Sequence, residues 1–403
     1  MPPLSRLVMS ARFMYAADQI ALVAVPIVAL LVFDASAGVI GLLVACQSSA
    51  LLIGSIPFGL VVDHFQLRTI LIASTLLALA GFSAAALALA AGGIAVFGLA
   101  IATAGLGIVL YELATFSVLP KLVDARGLGP ANARVSLPRA LASFLVPLAL
   151  SLLLSAETAT SAFCIAAAGA FAALMVVRTM PTVSRARSPE QPLPGRLAMG
   201  ANLVLRHGLL RPISLCAIFW NLAFAVLLVV LVPVIVEVYG GHPSLFAGAM
   251  AAFGIAAISG IWVAGRIAPA TPPRVILIAG PASSAVASVL LLAVPARSPE
   301  LVLYPAFFLL GFGPSMWLVV QNTVRQLVTP EDMLGRVNAV IQTAIYGVRP
   351  LGALLGGAIA GTWSPEAGLW AVATLFGLSF LAAFLSGLRK VMDYDAMKAL
   401  PRT

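Results

Sequence analysis

The chain has 403 residues, 62% of them hydrophobic and only 9% charged, with a formal net charge of +9. Soluble domains carry about 25% charged residues, so so few charges cannot clothe a water-facing surface and most of it must face lipid. The basic balance does not point to nucleic acid, because the positive residues are spread over alternate breaks in an apolar sequence rather than gathered in one patch.

Apolar runs recur near 8–33, 36–62, 69–91, 94–119, 132–155, 158–178, 212–236, 244–265, 274–294, 301–325, 337–361 and 366–388. Each approaches the roughly 20 residues that span a bilayer as a helix. The predicted class is an all-α membrane protein with twelve transmembrane helices in two pseudo-symmetric six-helix bundles. These runs use nearly the whole chain and leave no room for a soluble catalytic domain.

Taken in order, the basic start Met1 to Arg12 leads into the first run without a clear cleavage site, so it reads as a retained span. Asp18 stands about ten residues into that run. Runs two and three join through Gly59, Asp63, His64, Gln66 and Arg68. Run four carries Tyr111 and Glu112 and is followed by Leu119-Pro120-Lys121-Leu122-Val123. Next comes Leu128-Gly129-x-x-Asn132-Ala133, which returns as Leu334-Gly335-x-x-Asn338-Ala339, about 206 residues on. Each copy falls in a short polar break between two apolar runs. A repeat of half the chain length in so greasy a sequence predicts a carrier built from two similar bundles, with its site where the halves meet.

Run five holds Arg139, flanked at helical spacing by Ser136 and Ser143. Glu112 lies about seven residues before the end of run four, and Arg139 about seven residues into run five. At ~1.5 Å per residue the two sit at one depth, which predicts an ion pair. The stretch 179–211, with Pro181, Pro189, Pro192, Pro194 and several arginines, reads as a flexible basic cytoplasmic linker. It divides an N-terminal bundle, 1–178, from a C-terminal bundle with a short tail, 212–403.

In the second half, Trp220 and Asn221 lie mid-run seven, and Gly260 through Arg266 correspond to the Gly59–Arg68 joint without its acid. Trp317 and Gln321 share a face of run ten, with Asn322 adjacent. Thr329-Pro330-Glu331-Asp332 has the chemistry of a short surface helix start, Thr as cap and acids facing the dipole. Gln342, Tyr346 and Arg349 form one polar stripe of run eleven. Tyr111, Trp220, Asn221, Trp317, Gln321, Gln342 and Tyr346 are the candidate lining of a substrate cavity. Glycines at Gly352 and Gly356, and at Gly357 and Gly361, predict close helix contacts. Pro147, Pro233 and Pro314 predict kinks. Cys46, Cys164 and Cys216 have neither metal-ligand spacing nor a paired framework and read as packing residues.

With the N-terminus in the cytoplasm, Arg6, Arg12, Arg68, Lys121, Arg126, Arg134, Arg178, Arg185, Arg187, Arg196, Arg206, Arg211, Arg266, Arg274, Arg325, Arg336, Arg389, Lys390, Lys398 and Arg402 fall on that side. Only Arg297 falls opposite, together with Asp34, Glu157, Glu237, Glu300 and Glu366. Cytoplasmic loops carry the excess of Lys and Arg, so both termini are expected in the cytoplasm of a bacterial inner membrane.

The turn pattern G-x-x-x-D-[R/K]-x-G-x-[R/K] is matched at Gly59, Asp63 and Arg68 and departs at His64 and Gln66. On it the chain resembles the major facilitator superfamily. Asp18, Leu119–Val123, Leu334-Gly335-Arg336-Val337 and Gly347-Val348-Arg349-Pro350-Leu351-Gly352 resemble its branch of macrolide-efflux and enterobactin-exporter-like carriers over nearly the whole chain. Span five has Pro147 but lacks the glycine of the antiporter signature. The resemblance implies that spans one and four line the cavity, which makes Asp18 and Glu112 the proton-coupling candidates, tuned by Arg139 and Arg349, with Gly59, Asp63 and Arg68 as a gating loop. It also implies proton-coupled export of a small, partly hydrophobic compound such as a drug, antibiotic or siderophore-like metabolite. Nutrient uptake, or a non-transporting membrane sensor, are the alternatives.

An ionisable group at bilayer depth costs at least ~2.5–3.5 kcal/mol, so Asp18, Glu112, Arg139 and Arg349 should face partners or water. Enzyme chemistry is not expected: the chain has no P-loop, no His-Glu-x-x-His and no Gly-x-Ser-x-Gly, and His64, His207 and His242 lie near loops. No cofactor and no metal is expected; the expected partners are a small-molecule substrate, protons and the bilayer, with the protein a monomer.

Overall fold

A chain surrounded by hydrocarbon must satisfy its own backbone amides, and long runs of Leu, Ala and Val do so as helices. The computed structural model describes residues 2–34, 37–91, 93–153, 158–182, 193–241, 245–293 and 298–394. Its helices are α1 (Pro3–Phe33), α2 (Ala37–His64), α3 (Leu67–Ala91), α4 (Ile94–Val118), α5 (Ala125–Leu153), α6 (Ala159–Arg178), α7 (Leu193–Arg206), α8 (Leu210–Pro233), α9 (Leu245–Ile267), α10 (Pro273–Leu292), α11 (Glu300–Val328), α12 (Leu334–Thr362) and α13 (Pro365–Phe384). Among the described residues, ten helices are long and apolar enough to cross a bilayer. The 28-residue α2 and 29-residue α5 coincide with the other two apolar runs.

Helix α7 lies inside the stretch expected as a linker. Its apolar residues Leu193, Leu197, Ala201 and Val204 recur at helical spacing against Arg196, Asn202 and Arg206, which favours an amphipathic helix over extended chain. Arg185, Arg187, Pro189, Pro192, Glu157, His242, Arg297, Lys398 and Arg402 lie outside the described residues.

The chain forms two compact units, and each takes a segment from the other half of the sequence. Unit 1 comprises Met1–Asp124, Arg134–Gly200 and Thr329–Thr343. Unit 2 comprises Ala125–Ala133, Ala201–Val328 and Ala344–Thr403. The two exchanged segments carry the repeated Leu-Gly-x-x-Asn-Ala motif. Neither copy is a loop: Leu128–Ala133 is helical within α5, and Leu334–Ala339 opens α12.

Unit 1 packs around Phe97, which meets Phe163 edge-on at 5.2 Å and Phe33 at 5.6 Å between ring centroids. Small residues bring its helices together. A β-carbon on Gly81 of α3 would lie 2.7 Å from the Ala104 Cα of α4, and one on Gly107 2.9 Å from the Ala78 Cα. Arg68 donates to the Arg178 carbonyl at 2.6 Å, and Arg6 donates to the Thr179 carbonyl. Both arginines therefore satisfy carbonyls that the end of α6 leaves open and complement its negative dipole end.

Unit 2 centres on Val226, Val230, Phe307, Leu310 and Phe376, all fully buried. Helix α8 passes after Pro233 into a π-helical turn, Val234–Val238, where the ring displaces an ordinary helical hydrogen bond. Before α8, the His207 Nδ1 accepts the Leu209 amide at 3.1 Å. Burial lowers the His207 pKa, which keeps the imidazole neutral and the acceptor available. Only one of the three cysteines, Cys216, is buried; Cys164 is exposed, so the packing role expected for it does not hold.

The two glycine pairs of α12 differ. A β-carbon on Gly352 would lie 2.7 Å from the Leu222 carbonyl oxygen of α8, and one on Gly356 3.1 Å from that of Val226. Gly357 and Gly361 meet nothing within 4 Å among the described residues, which corrects the contact expected for them. Each lies one residue or more round the helix, ~100° per residue, from the packed face. Gly352→Val is therefore expected to destabilise the detergent-solubilised protein by about 1–3 kcal/mol, and Gly357→Val to leave its melting temperature unchanged.

Candidate functional site

Unit 1 gathers three of the four expected intramembrane charges. Arg139 of α5 forms an ion pair with Glu112 of α4 and lies 3.8 Å from the Asp18 carboxylate of α1. The equal-depth argument placed the first pair; Asp18 joins it from a third helix. Glu112 and Asp18 side chains are 15% and 16% exposed and Arg139 34%, so the cluster keeps partial access to solvent. The Tyr15 ring lies under the guanidinium, 4.3 Å from its carbon. Tyr15 precedes Asp18 by three residues on the same face of α1, which is the signal in the sequence that could have found it. Two carboxylates thus share one guanidinium.

Tyr111, beside Glu112 in sequence, is fully buried and shares a 2.6 Å hydrogen bond with Ser10. Its ring meets that of Tyr15 edge-on at 6.2 Å between centroids, so it backs the cluster from the helix packing and is not itself exposed in this structure.

The joint after α2 does different work from a free loop. The Asp63 carboxylate accepts the Gly335 amide at 2.7 Å, the Arg336 amide at 3.0 Å and Arg336 Nε at 2.8 Å. It thus caps the N-terminus of α12, where orphan amides and the positive dipole end favour an anion. That replaces the cap expected from Thr329, whose hydroxyl has no hydrogen-bond partner among the described residues. Residues 329–333 form a turn rather than a separate helix, because α12 begins only at Leu334. Gly59 makes the approach possible: a β-carbon there would lie 2.6 Å from that of Ala339 and 2.9 Å from the Gly335 oxygen. Arg68, five residues on at the start of α3, caps α6 instead of joining Asp63.

In unit 2 the counterpart is neutral. A β-carbon on Gly265 would lie 2.8 Å from that of Ala133. Gly59 and Gly265, like Ala133 and Ala339, are 206 residues apart. Gly265 rather than Gly260 is thus the equivalent of Gly59, and Gly260 packs against Phe312 of α11. Asn132 donates to Gln326 at 2.7 Å and Thr323 at 3.1 Å.

Unit 2 also holds the fourth charge. Arg349 Nε donates to Asn221 Oδ1 at 2.9 Å, and its guanidinium stands 4.8 Å from the Tyr346 ring centroid. Trp220 donates to Ser284 at 2.9 Å and stacks on Phe224 at 5.0 Å. Trp317 is buried against Gly280, and Gln321 is buried between Asn322 and Arg325. Gln342 is half-buried on the stripe with Tyr346. Asn132, Tyr15, Arg336 as partner of Asp63, and the buried Arg325 are polar positions that the sequence pattern alone did not single out as partners.

Residues 7–353 match the profile of the Major Facilitator Superfamily. The enterobactin exporter EntS of Escherichia coli O139:H28 is 27% identical over 349 residues, 86% of this chain and 82% of that protein. Among solved structures, a bacterial homologue of the iron transporter ferroportin aligns with TM-score 0.76 at 14% identity, over 99% of this chain and 100% of the other. The human organic anion transporter MFSD10 aligns with TM-score 0.75 at 16% identity, over 95% and 100%. The profile covers most of the chain, and Asp18, Asp63, Glu112 and Arg139 all fall within it: the chain belongs to the Major Facilitator Superfamily.

Proposed function

We propose that this transporter is a proton-coupled exporter of a small, partly hydrophobic compound, working by alternating access in a bacterial inner membrane with both termini cytoplasmic. The observation that carries the coupling is Arg139 between Glu112 and Asp18. A guanidinium does not titrate in the working range, so the proton resides on a carboxylate, and its arrival releases one acid from the arginine. The direction of transport rests on the likeness to the enterobactin exporter. In the same reading the Asp63 cap on α12 is a latch that must open and re-form once per cycle.

The test is export from energised inverted vesicles, with and without an uncoupler, after profiling cells with and without the gene for the compound retained. Asp18→Asn and Glu112→Gln should insert and fold as the native protein does and lose energised export. Native rates in both variants, or export indifferent to the uncoupler, would remove the proposal.

A further inference from the structure

The two membrane arginines are treated in opposite ways. Arg139 is neutralised by two carboxylates. Arg349, at the corresponding level of the other half-repeat to within one helical turn, has no carboxylate partner among the described residues. It is exposed in the middle of α12, a 29-residue helix. A permanent charge at that depth against acyl chains would cost at least ~2.5–3.5 kcal/mol, so its guanidinium belongs in water or against an anion. Its position is fixed rather than snorkelling. Asn221 donates its amide N–H to the Ala217 carbonyl at 2.9 Å, which aims Oδ1 at Arg349 Nε. Gly352, one turn on, lets α12 sit on α8 and holds the pair together. With Nε engaged and Tyr346 beneath, the two terminal nitrogens form the open end of a planar fork, the geometry that takes two oxygens of a carboxylate side by side.

We infer that Arg349, oriented by Asn221 and Tyr346, is the anion-receiving subsite of unit 2 and that the substrate is a small organic anion of the carboxylate type. The inference rests on the carrier reading above and narrows it: the hydrophobic part of the compound carries an acidic group. Arg349 binds the ligand's charge, and Asn221 is a positioning residue that acts through it.

The test is equilibrium dialysis of purified full-length protein in nanodiscs with 1-naphthoate and its neutral isostere 1-naphthamide. The native protein should bind naphthoate at least tenfold more tightly than naphthamide. Arg349→Gln should erase that preference, Arg349→Lys should retain part of it, and Asn221→Ala should weaken naphthoate several-fold while leaving naphthamide unchanged. Equal binding of the two probes by native protein overturns the subsite without recourse to any variant, as does naphthoate binding unaltered by Arg349→Gln. Binding at equilibrium needs neither a gradient nor movement. Failure of energised export with an intact, arginine-dependent naphthoate preference would therefore defeat the coupling proposal and leave this one standing.

Discussion

Replacing Asp63 with alanine is expected to destabilise the protein by about 3 kcal/mol, the largest effect of any substitution outside the hydrophobic cores. The Asp63 and Arg336 side chains are 6% and 3% exposed, so water cannot take over the lost interactions. Three hydrogen bonds end on this one carboxylate, two of them from backbone amides that have no other helical acceptor. The cost stays at the lower end of the range for a broken buried pair, because Asp332 remains 3.6 Å from the Arg336 guanidinium. Asp63→Asn keeps an acceptor for the Gly335 amide and gives up the charge, so its cost should be about half as large. Thermal unfolding in detergent ranks the two. Hydrogen exchange identifies the place: peptides covering 334–338 should lose protection in Asp63→Ala, while α3 and α6 keep theirs. Unchanged protection at 334–338 would show that the carboxylate is not what caps α12.

What could be read in advance follows the range of the interactions. Helix existence was legible because each span satisfies itself locally. The Glu112–Arg139 pair was legible because a short connection joins α4 to α5, so counting residues from the turn fixes relative depth. The Asp63 cap was not, although Gly59 and Asp63 had been singled out, since the partner lies 272 residues away and nothing local names it. Faces are harder to read than depth. Adjacent helical residues point ~100° apart, so Glu112 meets Arg139 while Tyr111 meets Ser10. Gly352 and Gly357 show the same limit on α12, where equal spacing patterns face a packed helix and open space. The repeat held the correction to the Gly260 alignment all along: a 206-residue shift carries Gly59 to Gly265, and the contacts to Ala339 and Ala133 agree.

The second large effect should come from Arg139→Gln. It removes the guanidinium that pairs with Glu112 and Asp18 and leaves two carboxylates close together at membrane depth. Because Arg139 is 34% exposed, solvent offsets part of the loss, and the expected destabilisation is about 2 kcal/mol rather than that of a sealed pair. Tyr15 adds to it, since a ring 4.3 Å from the guanidinium carbon loses its cation. Pairing and coupling are separated by the double variant Arg139→Gln with Glu112→Gln. Removing the acid together with its base deletes one of the two carboxylates left unpaired and keeps Asp18, so thermal stability should return part of the way to native, a coupling of 1 kcal/mol or more in the double-mutant cycle, on the order of measured contact pairs. Energised export should stay at background in both, because the proton-carrying acid is gone in one and its counter-charge in the other. Arg139→Lys, which keeps the charge but not the fork, should recover stability and part of the export. If the double variant regained export along with stability, Glu112 and Arg139 would be a helix clamp and nothing more, and the proton would have to travel by Asp18 alone.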